Sequence, residues 1–333
     1  MTMEPLSPLA EEVRRHDRDR FVTALFAPPE RREALFALYA FSGEIARIRE
    51  VVSEPLLGEM RLQWWRDALA TIYDGGDLAH PVARGLRAAI GTHRLTRATF
   101  ERLIEARAAD LVNGPPDTLG TLEAYAAGTA SSLVELALEV LGARGEAART
   151  VAHHAGIGWA LVGLMRAVPF HAAAGRIFLP RDLMAENGVT PDDVLDRDHP
   201  PPRAPSERPP DARYGQASGL SVGGSPSPLR GEGTKKKLPP PSEGEGRGGG
   251  DVRTRIARVA ETLALRAREH LRAARSQRDA VPREARSALL ATALAETYLG
   301  RLARARYDLF DPRWSMTRPA VLRLTILAAL GRY

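Results

Sequence analysis

Apolar residues in this chain return every three to four positions and almost nowhere every two. From Leu35, the positions Leu38, Tyr39, Ser42, Ile45 and Ala46 fall at i+3, i+4, i+7, i+10 and i+11, which places them on one face of a helix. Phe100, Leu103, Ile104, Leu111 and Val112 follow the same rule, as do Leu290, Leu294, Tyr298 and Leu302, and Leu86, Ala88, Ala89 and Ile90 continue it. Alternating β-branched runs bounded by turn residues, the signal of strands, are essentially missing. The pattern predicts an all-α protein.

One window breaks the periodicity. Residues 200–250 hold 11 of the chain's 25 Pro and 11 of its 29 Gly, with a single aromatic, Tyr214. So few branched apolar side chains cannot offset the entropy of ordering, and the window is expected to be a disordered insert. The runs SPSPLRGEG (225–233) and PPPSEGEGRGGG (239–250) flank Lys235, Lys236 and Lys237 and read as a solvated loop rather than a basic tether. Residues 1–199 and 251–333 then form two parts of one helical domain.

Composition narrows the chemistry. None of the 333 residues is Cys, which excludes disulfides, thiolate zinc sites, iron–sulfur clusters and cysteine nucleophiles. The net charge of +6 suits anionic lipid, nucleic acid or phosphorylated ligands without selecting one. Aromatics are not interleaved with a basic stripe and no recognition motif is present, so no nucleic-acid partner is expected. The N-terminal stretch carries Glu4, Glu11 and Glu12 and does not read as a signal peptide. No run reaches the ~18 uncharged residues of a membrane span. The expected location is cytoplasmic, at most peripheral at the inner face of the cell membrane.

No dinucleotide fingerprint, phosphate-binding P-loop, HExxH or GxSxG is present. His153 and His154 are adjacent and point about 100° apart on a helix, so they do not chelate one metal as i, i+4 residues would. Asp192, Asp193 and Asp196 spell DDxxD, a magnesium–diphosphate spacing. They follow Thr190 and Pro191, however, and read as the capped, acidic first turn of a helix.

Several segments together carry a resemblance. PPERREALFALYAFSGEIARIRE (28–50), LQWWRDAL (62–69), HPVARGL (80–86), LIEARAADL (103–111), GRIFLPRDLMAENGV (175–189) and RARYDLFDPR (304–313) resemble the squalene/phytoene synthase family, in the family's order and over nearly everything outside residues 200–250. The resemblance implies the isoprenoid synthase fold, a helical bundle around a central cavity. It also implies a reaction that joins prenyl diphosphates, with magnesium stabilising the leaving group. Magnesium takes near-octahedral oxygen coordination, so the chemistry needs carboxylates on two facing helices.

Those acids are largely gone. Where the family has FCRxxDDxxD, this chain runs from Phe41 to Glu50 with Ala46 and Arg47 in place of the Asp pair, and only Glu50 keeps an acid. Where the family has a helix reading QLxNxxRDxxED, this chain has ALVGLMRAVPFH (160–171). Arg166 survives, Ala167 and His171 replace the metal-binding Asp residues, Phe170 replaces another acid, and Pro169 is expected to disturb the helix. Arg47 would set a cation beside the metal, and unit charges 4 Å apart interact by about 4 kcal/mol at an effective dielectric near 20. No catalytic residue, no metal ligand and no cofactor is expected on this reading. Ser42, Ala46, Gly163 and Ala167 would leave room for a prenyl or other lipid chain, unless Met165 or Phe170 fills it.

The segments EIARIRE, VVSEP, RLQWWRDAL, YAAGTASSL (125–133) and the FDPR tail are similar to a diverged branch of the family that retains the fold without the acids. That likeness implies a role in assembling the respiratory NADH dehydrogenase, with complex I subunits as partners. The alternative is a magnesium-dependent prenyltransferase using Glu50, Glu44, Asp67 and Asp110 as displaced ligands, with Arg166 and Arg176 contacting diphosphate. Two surface readings stay open. The segment AVLRLTILAALGRY (320–333) is either the last core helix or lies on an anionic bilayer. In Gln63, Trp64, Trp65 and Arg66, either a partner anchors, or one Trp fills the core and Arg66 pairs with an acid.

Overall fold

The computed structural model describes residues 5–112, 114–196, 249–315 and 321–333, and among these there is no strand. The expected insert lies outside the described residues except for Gly249 and Gly250, which open a helix.

The chain starts with α1 (Pro8–His16) and α2 (Arg18–Ala24), then α3 (Pro29–Val51), α4 (Pro55–Tyr73), α5 (Pro81–His93) and α6 (Arg97–Arg107). A short 3-10 turn, Ala108–Leu111, leads to α7 (Leu119–Ala126), a π-helical turn (Ala127–Ser131) and α8 (Ser132–Val140). The long α9 (Glu146–Ala173) is followed by the short α10 (Arg181–Glu186) and α11 (Pro191–Leu195). Then come α12 (Gly249–Ser276), α13 (Leu290–Arg304), α14 (Pro312–Ser315) and α15 (Val321–Ala329).

Local sequence sets many of these boundaries. Pro29, Pro55 and Pro81 occupy the first turns of α3, α4 and α5, where a missing N–H removes no intrahelical bond. Ser7 caps α1 by accepting from Ala10 N at 3.1 Å, and Asp17 caps α2 by accepting from Arg20 N at 3.0 Å. The DDxxD run is a cap, as its neighbours indicate. Thr190 Oγ1 accepts from Asp193 N at 3.2 Å while the Asp193 carboxylate accepts from Thr190 N at 2.8 Å, a reciprocal capping box.

The helices close on one apolar core. Phe41 of α3 meets Trp65 of α4 edge-on at 4.9 Å and Phe100 of α6 at 5.6 Å, so three helices share an aromatic centre. On the other side α9 packs along α12 and also touches α8 and α13. The face read from Leu35 is buried through Ile45, and Ala46 is half-buried. Val112 departs from its expected place and is 72% exposed, because the chain has already left the helical path at the 3-10 turn ending with Leu111. Ala88 is likewise exposed, on the outer side of α5.

Pro169 does not end α9, which runs on to Ala173. Met165, Val168 and Pro169 itself are buried, so packing holds the last turns where one backbone bond is lost. The segment near the C-terminus fits neither simple reading. In α15 Leu324 is buried and Leu327 and Ala328 pack on the core, while Leu322, Ile326 and, just past the helix, Leu330 are exposed. No helix among the described residues is long and apolar enough to cross a membrane.

Candidate functional site

Arg47 turns toward α1, where its Nη2 donates to Glu12 Oε1 at 2.7 Å. The cation expected to repel a metal is therefore neutralised by a carboxylate from outside the motif, which corrects the expected repulsion. Ala46 is half-buried and Glu50 is exposed at the end of the helix.

Glu44 lines a cleft of about 480 Å³, which Arg47 also borders, together with Ile48, Arg61, Trp64 and His80. Burial pushes the Glu44 carboxyl up to about 7; Arg47 opposes that shift and Glu12 adds to it. His80 Nε2 lies 3.6 Å away, and burial lowers the pKa of its ring. Both shifts favour the uncharged forms, so the contact has little ion-pair character below about pH 7.

Trp64 and Trp65 separate as adjacent helical residues must. Trp65 is 4% exposed and Trp64 43%. Arg66 Nη2 donates to Glu105 Oε2 at 3.2 Å. One Trp therefore fills the core and Arg66 pairs with an acid.

The α9 side gathers a second set of groups. Arg166 Nη1 donates to Asp19 Oδ2 at 2.9 Å, and its guanidinium lies 3.9 Å from the centre of the Tyr298 ring. The Tyr298 hydroxyl donates to the same carboxylate, at 2.9 Å to Oδ1 and 3.0 Å to Oδ2. Burial raises the Tyr298 hydroxyl pKa, against the pull of Arg166 and with the push of Asp19. Residues from α2, α9 and α13 thus converge on one buried carboxylate. Nothing in the sequence pattern flags Asp19, which lies in the charged run RHDRDR, and Tyr298 reads there only as part of a core face.

One turn and a half further along α9, His171 packs against Phe178, the two rings tilted by 44° with their centres 4.6 Å apart. Burial drives its pKa down to about 4, reinforced by Arg176 and opposed by Asp110. Its Nδ1 is buried without a hydrogen-bond partner. Asp110 accepts from the Tyr125 hydroxyl at 2.7 Å and from Arg107 Nη1 at 3.0 Å, and Arg107 Nη1 also donates to that hydroxyl at 2.7 Å. Of the two side chains that could fill the space beside α9, Met165 is buried in the core and Phe170 is 48% exposed. A Cβ built on Gly163 would meet nothing within 4 Å.

The acids considered as displaced ligands are not brought together. Asp67 is exposed and accepts from Gln63 Nε2 at 2.8 Å, Glu44 faces the α4 side, Glu50 points to solvent, and Asp110 is held by Arg107 and Tyr125. Among the described residues no group of three His, Asp or Glu side chains is placed to hold a metal ion. A magnesium site of the kind the resemblance implies does not fit these residues, since Ala46, Ala167 and a neutral His171 supply no oxygen ligands.

His153 is exposed, while His154 Nδ1 lies 3.0 Å from His270 Nδ1. His270 Nε2 in turn lies 3.3 Å from Glu123 Oε1. These rings join α9, α12 and α7 in a polar contact that the adjacent-histidine pattern does not predict.

The profile described as squalene/phytoene synthase matches residues 13–207 and 243–320. The rat protein named NADH dehydrogenase (ubiquinone) complex I, assembly factor 6 is 29% identical over 302 residues, covering 91% of this chain and 75% of its own length. A presqualene diphosphate synthase from Sinorhizobium fredii is 27% identical over 168 residues, 50% of this chain and 59% of its own. A squalene synthase crystal structure from Alicyclobacillus acidocaldarius superposes with a TM-score of 0.65 at 21% identity, covering 90% of this chain and 93% of the other. The all-α architecture is the isoprenoid synthase fold.

Proposed function

The chain belongs to the squalene/phytoene synthase family, and from that premise we propose that it is a non-catalytic member acting in the assembly of respiratory complex I. The observation that carries the reading is the pair of helices where the chemistry would lie. α3 presents Ala46 and Arg47, α9 presents Ala167 and His171, and the intervening cations are paired with the protein's own carboxylates, Arg47 with Glu12 and Arg166 with Asp19. Ionising a prenyl diphosphate needs concentrated positive charge free to meet the leaving group, and neither helix offers it. Similarity to the rat assembly factor over most of the chain supports the choice of role. The partners would be complex I subunits, met at the inner face of the membrane, and a prenyl or other lipid chain would be the ligand.

Two measurements test this. Deleting the gene should leave complex I subunits unassembled on native gels, and complementation should restore them. Incubating the purified protein with farnesyl diphosphate and magnesium should release no diphosphate. Turnover abolished by EDTA would instead support a magnesium-dependent prenyltransferase, the activity class named for the Sinorhizobium relative.

A further inference from the structure

Resting on that reading and extending it, we infer that Asp19 is an internal anion that closes the Arg166–Tyr298 site to phosphorylated ligands, so that any molecule bound beside α9 is held without a diphosphate.

The arrangement is that of an anion-binding site. A guanidinium N–H and a phenol hydroxyl converge on both oxygens of one carboxylate at 2.9–3.0 Å. The guanidinium is fixed over the Tyr298 ring, so its bonding direction is set before anything binds. Tyr298 and Asp19 are buried, and Arg166 keeps only a quarter of its side chain in contact with solvent. One turn before Arg166 on α9, Gly163 is half-buried and a Cβ there would meet nothing within 4 Å. A group with two oxygens at the Asp19 position satisfies both donors, and a phosphoryl group presents the same pair of acceptors.

The occupant comes from within the chain. Asp19 is carried on α2, a short helix fixed at its start by the Asp17 cap. A second anion brought to the same donors would meet a carboxylate already there, and like charges at contact distance in a poorly hydrated site repel strongly. Removing that charge has the opposite effect, because it takes away the carboxylate that Arg166 and Tyr298 share and leaves their donors able to meet another anion.

The test compares the full chain with Asp19→Asn and with Asp19→Asn/Arg166→Gln, using inorganic pyrophosphate without metal as the probe. Thermal midpoints are read with and without pyrophosphate, and affinities by calorimetry. Pyrophosphate should raise the midpoint of Asp19→Asn and bind it at least about tenfold more tightly than the wild type. The double variant, which loses both charges and so leaves no buried ion alone, should return to the wild-type response. A single variant that folds only when pyrophosphate is present supports the assignment equally. Wild type and Asp19→Asn responding alike, the double variant responding as strongly as the single one, or an unfolded Asp19→Asn that pyrophosphate does not restore would each overturn it. Diphosphate release from farnesyl diphosphate by the wild type would sink the non-catalytic reading. An unresponsive Asp19→Asn beside a wild type without turnover sinks only the role given to Asp19.

Discussion

Glu44 Oε2 lies 3.6 Å from His80 Nε2, across the cleft where α3 meets α4 and the start of α5. Both groups are held toward their uncharged forms by burial, the carboxyl up to about 7 and the imidazole below its ordinary value. As pH rises from about 4.5 to 7 the unfolded chain releases the Glu44 proton while the folded protein retains it, so folding loses stability across that window. Glu44→Gln removes this loss. Relative to wild type it should gain stability progressively between those pH values, up to about 3 kcal/mol, with no further gain above about pH 7. Urea unfolding at a series of pH values reads the difference directly, and parallel curves for the two proteins would refute the assignment.

The two adjacent tryptophans should differ sharply. Trp65→Ala empties a place against Phe41 and should destabilise by about 3–5 kcal/mol. Trp64→Ala removes a side chain that is nearly half exposed and should change stability by less than about 1 kcal/mol. Chemical denaturation of both variants checks the contrast, and equal losses would contradict it.

Tyr298→Phe deletes one of the donors to Asp19 while keeping the ring under Arg166. A buried carboxylate that loses a hydrogen bond should cost about 1–3 kcal/mol. Arg166→Gln should cost more, about 3–5 kcal/mol, because it leaves Asp19 charged and largely buried. If the tyrosine variant were the less stable of the two, the ion pair would not be the main support of that carboxylate.

Gly156 of α9 crosses directly over the backbone of Ser131, and a Cβ at Gly156 would overlap its main chain. The crossing is fastened by Ser131 Oγ donating to His153 O at 2.7 Å. Gly156→Ala must push the π-helical turn away from α9 and should destabilise by at least about 1–3 kcal/mol, although alanine is the better helix former. A neutral or stabilising result in thermal melting would mean that the two helices separate without cost.

Magnesium should make no difference to folding. A ligand that binds only the native state raises the midpoint in proportion to ln(1 + [L]/Kd), so melting curves in millimolar magnesium and in EDTA should coincide. A magnesium-dependent rise would require carboxylates assembled in a way that Glu44, Glu50, Asp67 and Asp110 do not show.

The class of fold is written along the chain. Helical periodicity is a local property, so Leu35 to Ile45 and Leu290 to Leu302 announce their buried faces without reference to other segments. Thr190, Pro191 and Asp193 likewise carry their own cap, because a capping box closes within four residues. That Ala46, Arg47, Ala167 and His171 stand where the family resemblance implies acids is equally a reading made in one dimension.

Which charges meet is settled by folding alone. In one dimension Arg47 is a cation facing a metal; in three it is paired with Glu12, which lies 35 residues earlier. Asp19, Arg166 and Tyr298 are separated by 147 and 132 positions along the chain, and no spacing rule joins them. Pro169 reads as a break in α9 because propensity is local, but the helix is carried past it by tertiary packing, in which Met165, Val168 and Pro169 itself are buried. Electrostatic partners and packing act through space over a few ångströms, and the chain path that brings them within that range is a property of the whole fold.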